Sequence, residues 1–258
     1  MKGMYEAKIL ENSIIADGIY DLWLETEAAA HAKMGQFAAV YTGNPATLLP
    51  RPLSICEIFR KKNALRIIYR VEGQGTRDIA HAKAGDGLRI LAPLGNGFEI
   101  DASHKSFVIA GGGIGVPPLL ELAKEIRAAQ PDAKIAVYLG FRSAAQVILK
   151  KDFEKYADEV NISTDDGSVG TAGNVVDMLS TSRFDAVYGC GPKVMLRHLA
   201  KWAADGNMPC YVSLEERMAC AIGACLACVA KVKQADGEAH EKVCATGPVF
   251  NAKELIWQ

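Results

Sequence analysis

The chain has 258 residues, enough for two ordinary domains and a small module. Its 29 basic and 30 acidic residues leave a net charge of -1, so no overall field draws it to nucleic acid or to an anionic membrane surface. Half of the residues are hydrophobic, enough to fill real cores, yet no run of about 20 apolar residues marks a membrane span. Lys2, the one basic residue near the amino terminus before Lys8, has no apolar run behind it, which reads as a soluble, unexported, cytoplasmic protein.

Up to about Asp101 the pattern is one of short strands. The runs AKILENSIIADGIYDLWLET, GQFAAVYTG, RPLSICEIF, ALRIIYRVE and GLRILAPLG are β-rich and bounded by Gly, Asn or Asp turn signals. With little helical periodicity between them, they predict a closed antiparallel β-barrel over residues 1–101, carrying one helix at TRDIAHAKA. Two pieces of this domain point to a ligand. In RPLSI, a strand start holds Arg51, Pro52 and Ser54: a guanidinium for a pyrophosphate, a fixed backbone, and a hydroxyl for a flavin ring. Further on, IIYRVEGQGTRDI ends a strand in a glycine turn, Gly73 to Gly75, that opens a helix at Thr76, where main-chain N–H groups form an anion site. Either piece alone is equally well a structural turn. Their order within one barrel predicts a flavin site.

After Asp101 strands and helices alternate: KSFVIAGG, PPLLELAKEIRAAQ, AKIAVYLGF, a helix around DFEKYAD, VNISTDD, a helix at NVVDMLST, FDAVYGCG and PKVMLRHLAKWAAD. This rhythm predicts a doubly wound parallel sheet over residues 102–209. In FVIAGGGIGVPPLL an apolar strand passes through Gly111, Gly112, Gly113 and Gly115 into a helix begun by Pro117 and Pro118. Glycines there let a ligand phosphate or ring approach the backbone, although Val116 stands where the last glycine of the dinucleotide fingerprint belongs. Cys190, Gly191 and Pro192 follow a later strand, at the end where ligands of open α/β sheets bind, so the thiol either lies beside a nicotinamide or plugs the core. Asp165 and Asp166 disfavour a 2′-phosphate and Arg142 argues the other way; the balance favours NAD over NADP.

Seven cysteines is an odd count, and four of them crowd into the last 40 residues, a pattern of metal binding rather than of a disulfide framework. Cys220, Cys225 and Cys228 have the plant-type ferredoxin spacing, with Cys244 farther on to close the fourth position of a [2Fe-2S] cluster. Ala221, Gly223, Ala224 and Ala227 are small enough to let backbone N–H groups reach the cluster sulfurs. A structural zinc site also takes four thiolates, with His240 able to replace one. Zinc ligands usually come as two paired knuckles, however, and here three cysteines share one loop. Residues 210–258, poor in periodicity, are expected to form a module held together by metal. Cys56 and Cys210 have no spacing partner and read as small buried hydrophobes.

Taken in order, RPLSI, EGQGTR, APLGNGF, AGGGIGVPPLL, GFRS, YGCGPKVML and SLEERMACAIGACLACV resemble the ferredoxin reductase-like electron-transfer subunits of NAD-dependent (type B) dihydroorotate dehydrogenases. The resemblance implies a barrel that binds FAD through Arg51, Pro52, Leu53 and Ser54, then Ile68, Tyr69 and Arg70, then Gly75 and Thr76. It implies an α/β domain that binds NAD, a cluster on the four cysteines, and a separate FMN-containing catalytic subunit in a two-plus-two heterotetramer of pyrimidine biosynthesis. Electrons from dihydroorotate would cross the cluster singly, collect on FAD and leave as hydride to NAD+. The subunit of a ferredoxin-NADP oxidoreductase or sulfide dehydrogenase has similar domains, and a zinc-stapled, non-enzymatic binding module fits the same spacing. Ala221 departs from the glycine expected after the first cysteine, and a positive φ there would strain the loop by about 1 kcal/mol.

Overall fold

Period-two alternation of buried and exposed side chains closes the first ninety-odd residues into a barrel. In the computed structural model, which describes residues 1–179 and 182–257, six strands take part. They are β1 (Gly3–Ala16), β2 (Ile19–Glu25), β3 (Phe37–Tyr41), β4 (Arg51–Phe59), β5 (Ala64–Arg70) and β6 (Gly87–Leu94), in the antiparallel order β1-β2-β5-β4-β3-β6. Gly18, at φ 66, makes the two-residue turn between β1 and β2 that splits the first long run into a hairpin. Ile9, Leu22, Leu24, Ile55, Leu65, Ile67 and Ile90 fill the interior. Helix α1 (Gln74–His81) starts two residues before Thr76, and its far end is tied to the barrel by Asn12, whose Nδ2 donates to the carbonyls of Ile79 and Ala82.

The second layer system is built on β7 (Ser106–Gly112), β8 (Lys134–Phe141), β9 (Glu159–Thr164), β10 (Thr171–Ala172), β11 (Ala186–Cys190) and β12 (Cys210–Ser213), all parallel to their neighbours. A hairpin of β13 (Val229–Gln234) and β14 (Gly237–Lys242) follows, and β15 (Val249–Asn251) returns antiparallel beside β12. The seven-stranded order is β10-β9-β8-β7-β11-β12-β15, so the winding reverses between β7 and β11. That reversal opens the crevice in which ligands of such sheets bind. Helices α2 (Pro118–Ala129), α3 (Lys150–Phe153) and α4 (Lys193–Asp205) flank the sheet.

Three expectations change. The helix at NVVDMLST is a single 3-10 turn, Val175–Met178, because the Asn174 side chain accepts from the N–H groups of Val176 and Asp177 and closes the turn locally. The last two residues of that run lie outside the described residues. The helix around DFEKYAD is reduced to α3, because Asp158 is drawn back to the sheet: its carboxylate accepts from Ile135 N–H at 2.7 Å and from Arg127 at 2.8 Å. The C-terminal stretch, read as poor in periodicity, contains β12, β13, β14 and β15, and the first and last of these belong to the sheet. Among the described residues no helix is long and apolar enough to cross a membrane.

Barrel and sheet are joined by buried charge. Arg66 donates to Asp21 and Glu57 at 2.8 Å each and reaches Asp152 of α3 at 3.4 Å, with its guanidinium over the Trp23 ring. Burial alone would lower the Arg66 pKa; the hydrogen bonds to Asp21 and Glu57 outweigh it and raise the value. Nearby, the fully buried Glu121 of α2 accepts from Ile58 N–H and from Lys124, both at 2.9 Å, which fastens α2 to β4. Arg66→Ala leaves Asp21 and Glu57 buried without a counter-charge and is expected to cost about 3 kcal/mol, read as a lower thermal midpoint. Arg66→Lys should lose less, since it keeps the charge without the fork. A change below about 0.5 kcal/mol in the alanine variant would mean that water already screens the network.

Candidate functional site

The cysteine loop owes its shape to hydrogen bonds and to unusual backbone angles. Cys220 Sγ accepts from the backbone N–H groups of Ala224 at 3.3 Å and Cys225 at 3.4 Å. Desolvation pushes this thiol up, but the N–H groups of Ile222, Cys225 and Ala224 together with the Cys225 side chain bring it down to about 6. Cys228 and Cys244 are buried together, and the Val243 N–H donates to the Cys228 carbonyl at 2.7 Å. Burial first, then the neighbouring Cys228, push the Cys244 thiol up to about 12. Among the described residues no three His, Cys, Asp or Glu side chains converge as a metal-binding group. Cys225 lies beside Cys220, and Cys244 is influenced by both Cys228 and Cys220, so the four thiols are neighbours. Three thiols from one loop and a fourth from the segment that returns to it fit the ligand set of a [2Fe-2S] cluster, and His240 is exposed on β14.

Ala221 does adopt a positive φ, 58°, as does Leu226. Such a conformation costs a non-glycine residue roughly 1–2 kcal/mol. The Ala221 methyl is 1% exposed, and its burial returns about 0.8 kcal/mol, so alanine is tolerated where glycine was expected. Leu226, 61% exposed, has no such compensation.

The two flavin pieces meet in space. Arg51 lies across Gly75 at the start of α1, where a Cβ would stand 2.8 Å from Arg51 Cδ. One Arg51 nitrogen donates to the Leu49 carbonyl, while its buried Nε has no partner. Arg70 Nε, 3.2 Å from Glu72, is likewise buried without a hydrogen bond. Thr76 Oγ1 accepts from the N–H groups of Glu72 and Gly73, while the first N–H groups of α1 have no acceptor within the helix. The unpartnered Arg51 Nε beside Gly73 and Gly75 at the helix start fits a diphosphate. The sequence reading missed the brace over this turn: Asn44, Thr47 and Gln74 all donate to Asp78, holding the carboxyl below its usual range, Gln74 most strongly. Its only trace in the sequence is the turn-forming GNP that opens the loop. Pro52, Leu53 and Ser54 are half-buried on β4. Ile68 packs into the barrel–sheet interface, and the Tyr69 ring points into the barrel core, where its OH donates to Asn12 Oδ1. Any ligand contact at Tyr69 is therefore through its backbone.

The nucleotide pieces also converge, at the switch point. Gly111 and Cys190 are paired in register across β7 and β11. A Cβ on Gly115 would lie 2.6 Å from the Cys190 carbonyl, and one on Gly112 would strike Met195 and Pro192. Gly113, at φ 54, is open to its surroundings. Burial pushes the Cys190 thiol up to about 12 despite a hydrogen bond with Ser213, so it is a neutral wall of the crevice and not a nucleophile. Gly191 and Pro192 carry the chain from that wall into α4. Asp165, Asp166 and Arg142 are exposed at the same strand ends, and Asp166 is engaged by Ser168.

Residues 215–256 match the family model described as the iron-sulfur cluster binding domain of dihydroorotate dehydrogenase B. The chain is 42% identical, over 99% of its length and all of the relative's, to the electron transfer subunit of dihydroorotate dehydrogenase B (NAD(+)) from Geobacillus kaustophilus. The chain belongs to that family. The subunit of the same name from Clostridium perfringens is 38% identical, with 97% of each chain covered. Among solved structures, that of an NADH-dependent reduced ferredoxin-NADP oxidoreductase superposes with a TM-score of 0.85 at 27% identity, covering 97% of this chain and 90% of the other. Phthalate dioxygenase reductase shares the fold, with a TM-score of 0.65 at 20% identity and 94% of each chain covered.

Leu226→Gly is expected to stabilise the loop by about 1 kcal/mol, whereas Ala221→Gly, which trades strain for a lost buried methyl, should change it by less. Thermal unfolding and limited proteolysis read both. Equal gains would show that the Ala221 methyl contributes nothing.

Proposed function

We propose that this subunit takes electrons at its cysteine module from a dihydroorotate-oxidising catalytic partner and delivers them to NAD+. What supports the reading is that each predicted site is assembled by the fold of a chain of this family: neighbouring thiols, Arg51 over a helix start, and a glycine-lined switch point. Cys220 and Cys225 would hold one iron of a [2Fe-2S] cluster and Cys228 and Cys244 the other. Arg51, Pro52, Leu53, Ser54, the backbone of residues 68–70, Gly75 and Thr76 would hold FAD. Gly111, Gly112, Gly113, Gly115, Cys190, Gly191 and Pro192 would line the NAD crevice. A cluster supplies single electrons, NAD+ accepts a hydride, and a flavin between them converts one into the other.

Each protein group has a defined task in this scheme. Arg51 neutralises the diphosphate, and the glycines admit the ring and phosphates to the backbone. The neutral Cys190 thiol walls the crevice without competing as a nucleophile. Ile222 and Leu226, exposed on the cysteine loop, suit a protein partner; an FMN-containing one, in a two-plus-two assembly, follows from the family resemblance. Identity of 42% along the whole chain, against 27% for the ferredoxin-NADP oxidoreductase, favours dihydroorotate as the electron source.

Arg51→Ala should weaken FAD binding by about 10–100-fold, the loss of charged hydrogen bonds worth about 1.5–3 kcal/mol, while iron stays near normal. Full flavin occupancy at low concentration would mean that the diphosphate lies elsewhere. Cys225→Ala should lose the cluster and abolish dihydroorotate-dependent NAD+ reduction in the assembled complex, while NADH oxidation by a dye largely survives in the isolated chain. If both activities fall together in a variant that retains FAD and the partner, the module is a structural staple. Dihydroorotate turnover by the isolated chain would contradict the need for a partner.

A further inference from the structure

The exit of β6 is stitched to the segment that follows Cys244. Asn96 N–H donates to the Gly247 carbonyl at 2.6 Å, and Asn96 Nδ2 donates to the carbonyls of Thr246 at 3.0 Å and Ala245 at 3.4 Å. Asn96 and Pro248 form an isolated β-bridge. Gly95, at φ 74, is approached so closely that a Cβ would stand 2.5 Å from Pro248 Cδ and 2.7 Å from the Gly247 carbonyl. Gln36 Nε2 fixes the Gly95 carbonyl from the barrel side at 2.7 Å. On the other side, the Pro248 carbonyl accepts from Leu214 N–H at 2.9 Å, one residue beyond Ser213, which is paired in register with Cys190. Residues 245–248 therefore touch the barrel, the sheet and the fourth cysteine together.

This contact is more than the module needs to stay attached. The pairing of β15 with β12 already holds it, and an apolar core runs unbroken from Phe37 and Leu94 through Val212 and Phe250 to Cys228 and Cys244. Asn96 itself is exposed, so its side-chain bonds add little to global stability. They act on placement: each ties the Cys244 loop to the strand end of the proposed flavin barrel. We infer that Gly95 and Asn96 are positioning residues that set the separation between the cluster and the flavin, and so the rate at which electrons pass between them. This rests on the flavin and cluster reading above.

The experiment uses the loaded full chain with Asn96→Ala, which removes the side-chain tie, and Gly95→Ala, which wedges the segment away. Amide hydrogen exchange of Ala245, Thr246 and Gly247 should rise about tenfold, equivalent to about 1.4 kcal/mol of local opening. FAD content, iron content and dye-coupled NADH oxidation should match the unaltered chain. In stopped flow, bleaching of the cluster after NADH is mixed in should slow about tenfold or more, because tunnelling falls steeply with distance. Unchanged bleaching, unchanged exchange, or loss of flavin or iron in both variants would each overturn the inference. An unaltered chain that carries no flavin or no cluster would instead overturn the reading beneath it.

Discussion

Main-chain pairing at the edge of the nucleotide sheet governs the rest of this structure. Tyr211, Val212 and Ser213 of β12 pair with Asn251, Phe250 and Val249 of β15, and Ser213 is also in register with Cys190. A short, cysteine-rich segment of about forty residues could not be placed by its own small core. Lending one strand to a larger sheet fixes it relative to the switch point, where the nucleotide pieces meet. With the module so fixed, the segment after Cys244 meets the barrel at Gly95 and Asn96 and the sheet at Leu214, beside the Ser213 that pairs with Cys190. A two-electron acceptor and a one-electron carrier need that proximity.

Charge is distributed according to the same division. The overall balance is close to neutral, and the buried ion pairs of Arg66 and Glu121 sit where barrel and sheet meet, distant in sequence from Cys220, Cys225, Cys228 and Cys244. They cement the two large units. Around Cys220, backbone dipoles take the place of cations, so the thiolate is stabilised without introducing a charged side chain. Burial pushes Cys56, Cys190 and Cys210 up, as it does Cys244, but only Cys244 has other thiols beside it, Cys228 and Cys220, and that neighbourhood separates the thiols that can ligate together from those that only pack.

Much of this was legible in the sequence where the signal is local. The barrel strands were bounded by turn residues, β4 beginning and ending with RPLSICEIF as expected, and the cysteine spacing carries its chemistry in one loop. The glycine segment before α2 announces itself in the same way. Less was legible where partners are far apart. CYVS and VFN are too short to declare themselves as strands, and only their non-local pairing makes them so. Helical periodicity at NVVDMLST was overridden by one asparagine side chain. A sequence cannot show that Gly75 is the floor beneath Arg51, that the Tyr69 ring turns inward, or that Gly95 exists to let Pro248 approach. Ala221 lies between these cases: the departure from glycine was visible, but its compensation by a buried methyl needed the packing.

The central claim is that one chain holds a two-iron cluster and a flavin that NADH can reduce. An anaerobic titration of the purified chain with NADH, followed by visible absorption alongside iron, labile sulfide and FAD analysis, tests it most directly. The account predicts about two irons, two sulfides and one FAD per chain, with both chromophores bleached by NADH. A chain that carries zinc, or whose flavin bleaches while the cluster absorbance remains indefinitely, would contradict it.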